Sequence, residues 1–255
     1  MHTVSPNNRP VALITGTSRA KGIGAAIALA LAESGWDVAI TYWRPYDEKM
    51  PWGNNASEAE ELLHKIHAYS PKAIGIEANL ADATSPRAIF DKAEAALGCV
   101  TAIIMSHCQS VDSNITDTSI ESFDLHMAIN ARATWLLIRE FGSRYKCEHG
   151  RGRIISITSD ATVGNLPYGA SKGAMDRIVI AATQEFKQLG ITANVINPGA
   201  TDTGWMSGEQ KKYFSTCTPL GRVGRPQDCA NLVRFLCSIE GGWVNGQLLH
   251  SNGGV

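Results

Sequence analysis

The chain has no strong excess of charge, no long apolar run, and no clustered cysteines or histidines. Each absence removes a class of function. Lys and Arg number 23 against 24 Asp and Glu, for a formal net charge of −1. Nucleic acid and anionic membranes therefore have no electrostatic claim as partners. No apolar stretch reaches the roughly 18 residues that span a bilayer. Met1 to Pro10 is polar, lacks the apolar centre of a signal peptide, and reads as a short frayed tail. The six cysteines (Cys99, Cys108, Cys147, Cys217, Cys229, Cys237) contain no C-x-x-C pair. That argues against a zinc cluster or a dense disulfide framework, and predicts reduced thiols in a cytoplasmic protein. His64 and His67 are close together in a polar stretch, but the histidines show no H-x-x-x-H or H-E-x-x-H spacing, so no metal site is expected.

What is present is an alternation of short apolar runs with longer amphipathic stretches. Strands are predicted at 11–15, 38–43, 73–78, 101–105, 153–158, 192–196 and 247–250. Helices are predicted at 22–34, 57–69, 85–97, 120–145 (one long helix or two), 167–189 and 226–237. No linker, repeat or low-complexity stretch interrupts the alternation. Over 255 residues, 44% of them hydrophobic, it predicts one α/β domain: a doubly wound parallel sheet of about seven strands, with helices on both faces. The irregular stretches 44–55 and 201–219 follow strands on the ligand side of such a sheet and read as binding loops.

Two patterns carry chemistry. Gly16-Thr-Ser-Arg-Ala-Lys-Gly22-Ile-Gly24 lies at the first strand-to-helix turn. There, glycines let backbone amides approach a pyrophosphate, and the helix N-terminus adds partial positive charge. Such turns usually have an acidic residue at the end of the second strand to hold the adenosine ribose. Here that stretch reads Ile40-Thr-Tyr-Trp-Arg44, with no acid before Asp47. Arg19, Lys21 and Arg44 supply positive charge instead, which predicts NADP(H) rather than NAD(H). The second pattern is Tyr168-Gly-Ala-Ser-Lys172. Its phenol and ammonium fall one turn apart on one helix face, so the ammonium would favour the phenolate and ease proton transfer.

With Asn197-Pro-Gly199, Gly221 to Asp228 and the closing Asn245 to Gly254, these motifs resemble the short-chain dehydrogenase/reductase family over essentially the whole chain, closest to bacterial 3-oxoacyl-[acyl-carrier-protein] reductases. The resemblance implies a Rossmann fold and reduction of a ketone by NADPH. A 3-oxoacyl thioester in fatty acid biosynthesis is one implied substrate. Tyr168 would be the proton donor, Lys172 its pKa partner, Ser159 the carbonyl holder, and Asn130 the anchor of a water leading to Lys172. It also implies a cofactor site drawn from Gly16, Ser18, Arg19, Gly22, Ile23, Gly24, Arg44, Asn79, Leu80, Ser106, Pro198, Gly199, Thr201 and Thr203. A homotetramer is expected, through apolar positions in 131–141 and 178–186.

Three departures stand out. The glycine turn is longer than the family's, with Ala20-Lys21 as the excess. Met105-Ser-His-Cys108 replaces the usual Asn-Asn-Ala-Gly. Ser159 lies only nine residues before Tyr168, which implies a shortened, more open substrate loop and leaves Ser156 as an alternative serine. An NAD-dependent alcohol or sugar dehydrogenase, and a cofactor-binding protein without catalysis, are the alternative readings. An enoyl reductase is disfavoured by the Tyr-to-Lys spacing.

Overall fold

The computed structural model describes residues 9–50, 52–53, 57–70 and 72–255. The rest of the predicted tail, and positions 51 and 54–56 of the first predicted binding loop, lie outside the described residues. The strands are β1 Val11–Thr15, β2 Asp37–Tyr42, β3 Ile74–Glu77, β4 Val100–Met105, β5 Arg153–Ile157, β6 Thr192–Asn197 and β7 Leu248–His250. They form one parallel sheet in the order β3-β2-β1-β4-β5-β6-β7. All seven lie within a residue or two of their predicted places.

The apolar runs are continuous because both sheet faces are covered. On one face Ala12, Ile14, Ile155 and Ile157 pack with α1 (Ile23–Glu33), α3 (Glu58–His67) and α9 (Pro226–Cys237). On the other, Val11, Leu13 and Ile154 pack with α4 (Ser85–Leu97), α6 (Ala133–Arg144) and α7 (Leu166–Glu185). Phe90 of α4 and Phe141 of α6 are fully buried with rings 6.5 Å apart. Each such side chain contributes roughly 2–3 kcal/mol of burial. Among the described residues no helix is long and apolar enough to cross a membrane.

The structure corrects four expectations. Two stretches read as loops contain helices: α2 (Arg44–Asp47) and α8 (Gly208–Cys217). Helix α8 was hidden because it buries no residue and so has no apolar stripe, but it opens with a Ser207–Gln210 capping box. The predicted helix at 120–145 is α5 (Ile120–His126), a π-helical turn (Met127–Arg132) and α6 in continuous succession. Arg9, expected in the frayed tail, is held by Asp37 at 3.0 Å and by the carbonyls of Trp36 and Tyr69. Finally, Cys99 and Cys147 are paired as a disulfide, with Cα atoms 6.4 Å apart, whereas Cys108, Cys217, Cys229 and Cys237 are free. The two halves are 48 residues apart and meet only because the β4 entry and the α6–β5 connection share one end of the sheet.

Candidate active site

In a parallel sheet the loops after the carboxyl ends of the strands form the binding cleft, centred where the strand order reverses. Here that point lies between β1 and β4, and the turns after both strands meet there. Gly16 has φ of +75°, and a Cβ on it would lie 2.6 Å from the His107 backbone. The glycine turn is closed by Gly22 N–H donating to the Arg19 carbonyl at 2.9 Å. Ser18 Oγ accepts from Trp43 N–H at 3.3 Å, tying the turn to the end of β2. From Gly22 and Ile23 the chain enters α1, whose first turn has no side-chain cap and no acidic residue. Its free N–H groups and positive dipole end face the turn. Gly24 packs on the Gly16 carbonyl, which a Cβ would approach to 2.6 Å.

The departure after β4 has a clear structural role. His107 is buried. Its Nε2 lies 3.1 Å from the Ile129 carbonyl, which can only accept. Nε2 therefore carries the proton, and Nδ1 accepts from the Thr15 hydroxyl at 2.6 Å. Burial, reinforced by the Lys172 charge, pushes His107 down to about 3, so the ring is neutral. It clips the end of β1 to the π-helical turn. Asn130, on that turn, completes the clip: its Oδ1 accepts from Gln109 N–H at 2.7 Å, and its Nδ2 donates to the Gln109 carbonyl at 2.9 Å and to Ser171 Oγ at 2.8 Å. The Asn130 carbonyl accepts from Thr134 Oγ1. The expected line from Asn130 towards Lys172 runs instead to Ser171, one residue away on α7. Ser106 is half-buried beside Gly16. The sequence marked this stretch as unusual but did not single out His107 or Gln109.

Ser159, Tyr168 and Lys172 come together where β5 ends and α7 begins. The Ser159 hydroxyl lowers the pKa of the Tyr168 phenol, and Ser159 Oγ accepts from Ala161 N–H at 3.1 Å. Ser156 points into the interior, its Oγ 2.9 Å from Met175 Sδ, so Ser159 is the serine at the cleft. Lys172 is buried, donates to the Ile157 carbonyl at 2.7 Å, and lies 5.6 Å from the Tyr168 ring centroid. The expected lowering of the Tyr168 pKa is reversed: burial, the largest influence, pushes it up, opposed by Ser159. Burial also pulls Lys172 down. The loop from Asp160 to Asn165 folds tightly against α7: Asn165 Nδ2 donates to Ser110 Oγ, and a Cβ at Gly169 would lie 2.0 Å from the Ala161 carbonyl.

The remaining predicted positions rim the cleft. Arg44 is paired with Glu77 through two hydrogen bonds, one of them 3.0 Å from Nε, so its guanidinium already has a counter-charge. Arg19 stacks over Trp52 at 4.0 Å, and Trp52 packs on Trp205 at 4.5 Å. Trp52 Nε1 donates to the buried Asp47 at 2.9 Å. These aromatic and acidic partners lie in the two stretches expected to bind, but were not singled out. Asn79 caps its own turn through Ala81 N–H, and Leu80 is buried. Pro198 is buried at the end of β6, and Gly199, with φ of +60°, packs on Asn252. The Thr201 hydroxyl donates to the Pro198 carbonyl at 3.1 Å, and Thr203 N–H donates to the Thr201 carbonyl at 2.9 Å. Neither threonine is placed beside Tyr168.

Comparison with known proteins matches residues 16–255 to the family model described as Enoyl-(Acyl carrier protein) reductase. The uncharacterized oxidoreductase YjdA of Bacillus subtilis is 35% identical over 256 residues, which cover 98% of both chains. An NADPH-dependent aldehyde reductase-like chloroplastic protein of Arabidopsis thaliana is 34% identical over 96% of this chain and 93% of its own length. The crystal structure of a short chain dehydrogenase from Burkholderia cenocepacia in complex with NADP superposes with a TM-score of 0.85. It is 30% identical and covers 97% of this chain and 99% of that one.

Proposed function

Because the chain belongs to the short-chain dehydrogenase/reductase family of oxidoreductases, we propose that it reduces an aldehyde or ketone carbonyl with NADPH, with Tyr168 as the proton donor. The observation that carries this reading is the buried Lys172 ammonium 5.6 Å from the Tyr168 ring, with Ser159 acting on the same phenol. The uncapped, acid-free first turn of α1 beyond the Gly16–Gly24 turn suits a pyrophosphate. The absence of an acid at the end of β2 suits a 2′-phosphate, and Arg19 on the glycine turn is a cation for it. The relative that uses NADPH and the neighbour holding NADP favour the same cofactor.

The bound cofactor supplies the hydride. Ser159 orients the substrate carbonyl oxygen, and Tyr168, held protonated by burial, gives that oxygen its proton. The Lys172 charge then favours the phenolate left behind. Burial keeps the phenol protonated until the transfer, and the Lys172 charge offsets the acidity that burial removes. The relative described as an NADPH-dependent aldehyde reductase-like protein makes a small aldehyde or ketone the first substrate class to try. A 3-oxoacyl thioester is the second substrate class to try.

The test offers purified protein NADPH or NADH with a panel of aldehydes, ketones and a 3-oxoacyl thioester. Turnover should prefer NADPH and fall on the order of 10²–10⁴-fold in Tyr168→Phe. The variant should keep the NADPH-dependent rise in thermal stability. Tight NADPH binding without turnover across the panel, or turnover unchanged by Tyr168→Phe, refutes the reading.

A further inference from the structure

We propose that Asp176 is a positioning residue for this reaction: its carboxylate, one helical turn beyond Lys172 and facing the Thr158 hydroxyl, is the counter-charge that keeps the buried Lys172 ammonium protonated. The inference rests on the reductase reading above. Asp176 follows Lys172 by four residues on α7, and so lies on the same helix face. Thr158 is buried directly before Ser159 and favours the ionised form of Asp176. Both Thr158 Oγ1 and Asp176 Oδ1 are buried without a partner at hydrogen-bonding distance. An orphaned carboxylate oxygen is costly and calls for a reason.

The surroundings of Lys172 supply one. Among the described residues its Nζ donates to neutral acceptors, the Ile157 carbonyl at 2.7 Å and Met175 Sδ at 3.8 Å. From the turn after β4 it faces His107, held neutral, and Cys108, whose thiol burial keeps protonated. From its own helix it faces the neutral Tyr168 ring and Asp176. Asp176 is thus the charged group of opposite sign acting on Lys172. Burial, the largest influence, raises the Asp176 carboxyl, and Thr158, Lys172 and Arg177 pull it back towards ionisation. An ammonium with no counter-charge in such a site would shed its proton.

Removing the charge should lower the Lys172 pKa. It should also lower that of Tyr168, which Asp176 helps to raise. Either effect moves the alkaline limb of the kcat/KM profile for reduction to lower pH. The experiment compares wild type, Asp176→Asn and Asp176→Glu by pH–rate profile and by a lysine side-chain NMR titration, with the Lys172 signal assigned by its loss in Lys172→Arg. Asp176→Asn should lower the Lys172 titration and the alkaline limb by roughly one pH unit, and Asp176→Glu should restore most of both. A titration unshifted in Asp176→Asn, or one that shifts while the limb stays in place, overturns the proposal. A wild type that reduces nothing overturns the reductase reading, and the NMR titration still decides the role of Asp176.

Discussion

Two glycines on α7 invite the same substitution with opposite results. At Gly173 a Cβ would meet nothing within 4 Å. Gly173→Ala should therefore gain the ordinary helix preference of alanine, about 1 kcal/mol, raising Tm by about 2–4 °C in a chain of this size. At Gly169 the same Cβ would lie 2.0 Å from the Ala161 carbonyl and 3.0 Å from its carbon. The obstacle is backbone, so the 160–165 loop must move by about 1 Å or more, at roughly 1–3 kcal/mol, which offsets the helix gain. That loop cannot shift alone, because Ala161 N–H donates to Ser159 Oγ, and Ser159 acts on the Tyr168 phenol. Misplacing a substrate-orienting group by about 1 Å lowers turnover by up to about 100-fold. Gly169→Ala should thus leave NADPH-induced thermal stabilisation in place while kcat/KM falls at least about 10-fold, whereas Gly173→Ala keeps wild-type kcat/KM. Differential scanning fluorimetry with and without NADPH, beside steady-state kinetics, makes the comparison. A Gly169→Ala variant as active and as stabilised as Gly173→Ala would refute the placement of the loop on the helix.

Folded His107 stays neutral down to about 3, while in the unfolded chain it takes up its proton near the ordinary histidine value of 6.5. Stability is therefore lost as pH falls through that window, by roughly 2 kcal/mol at pH 5. His107→Asn should lose less Tm than wild type between neutral pH and pH 5, and an equal loss would sink the argument. On the outer surface, Asp124, Met127, Ala128, Ala131, Arg132, Trp135, Ala174 and Ile178 line a groove of about 500 Å³, with Trp135 47% exposed. We propose that a second copy covers this face in a homotetramer. Sedimentation should show the tetramer for wild type and smaller species for Trp135→Glu with unchanged circular dichroism, and a stable wild-type monomer would contradict it.

The sheet was legible because every strand is a short apolar run between turn signals, and parallel strands buried on both faces need only that. The geometry of the glycine turn and of the Tyr168–Lys172 pair was legible because spacing alone sets it: one lets a backbone approach, the other puts two side chains on one helix face. The choice between Ser159 and Ser156 was not, since it depends on the facing helix. Met175 takes up the Ser156 hydroxyl, and only the packed structure puts that sulfur there. Arg44 was read as a phosphate ligand because nothing local opposed it. Its partner Glu77 is on β3, 33 residues away. Charge in a sequence says what a side chain could bind, whereas sheet order decides what reaches it first.

The altered turn after β4 shows how a departure from a family pattern can keep a site intact. Losing the usual asparagines from this turn would endanger cofactor geometry if the role depended on an amide. The role here is a span: one group must reach from the Thr15 hydroxyl to the Ile129 carbonyl, accepting at one end and donating at the other. An imidazole with its proton on Nε2 does both, provided it stays neutral, and complete burial keeps it neutral. The backbone just after the turn is held as well: the Asn130 amide accepts from Gln109 N–H and donates to the Gln109 carbonyl. Both contacts land on the π-helical turn, where an extra residue per turn presents the Ile129 carbonyl and the Asn130 side chain to the loop. The glycine turn, the β4 turn and the start of α7 are thereby joined through His107, Asn130 and Ser171. A substitution at any one of these three should disturb both the cofactor cradle and the proton donor, which independent motifs would not do.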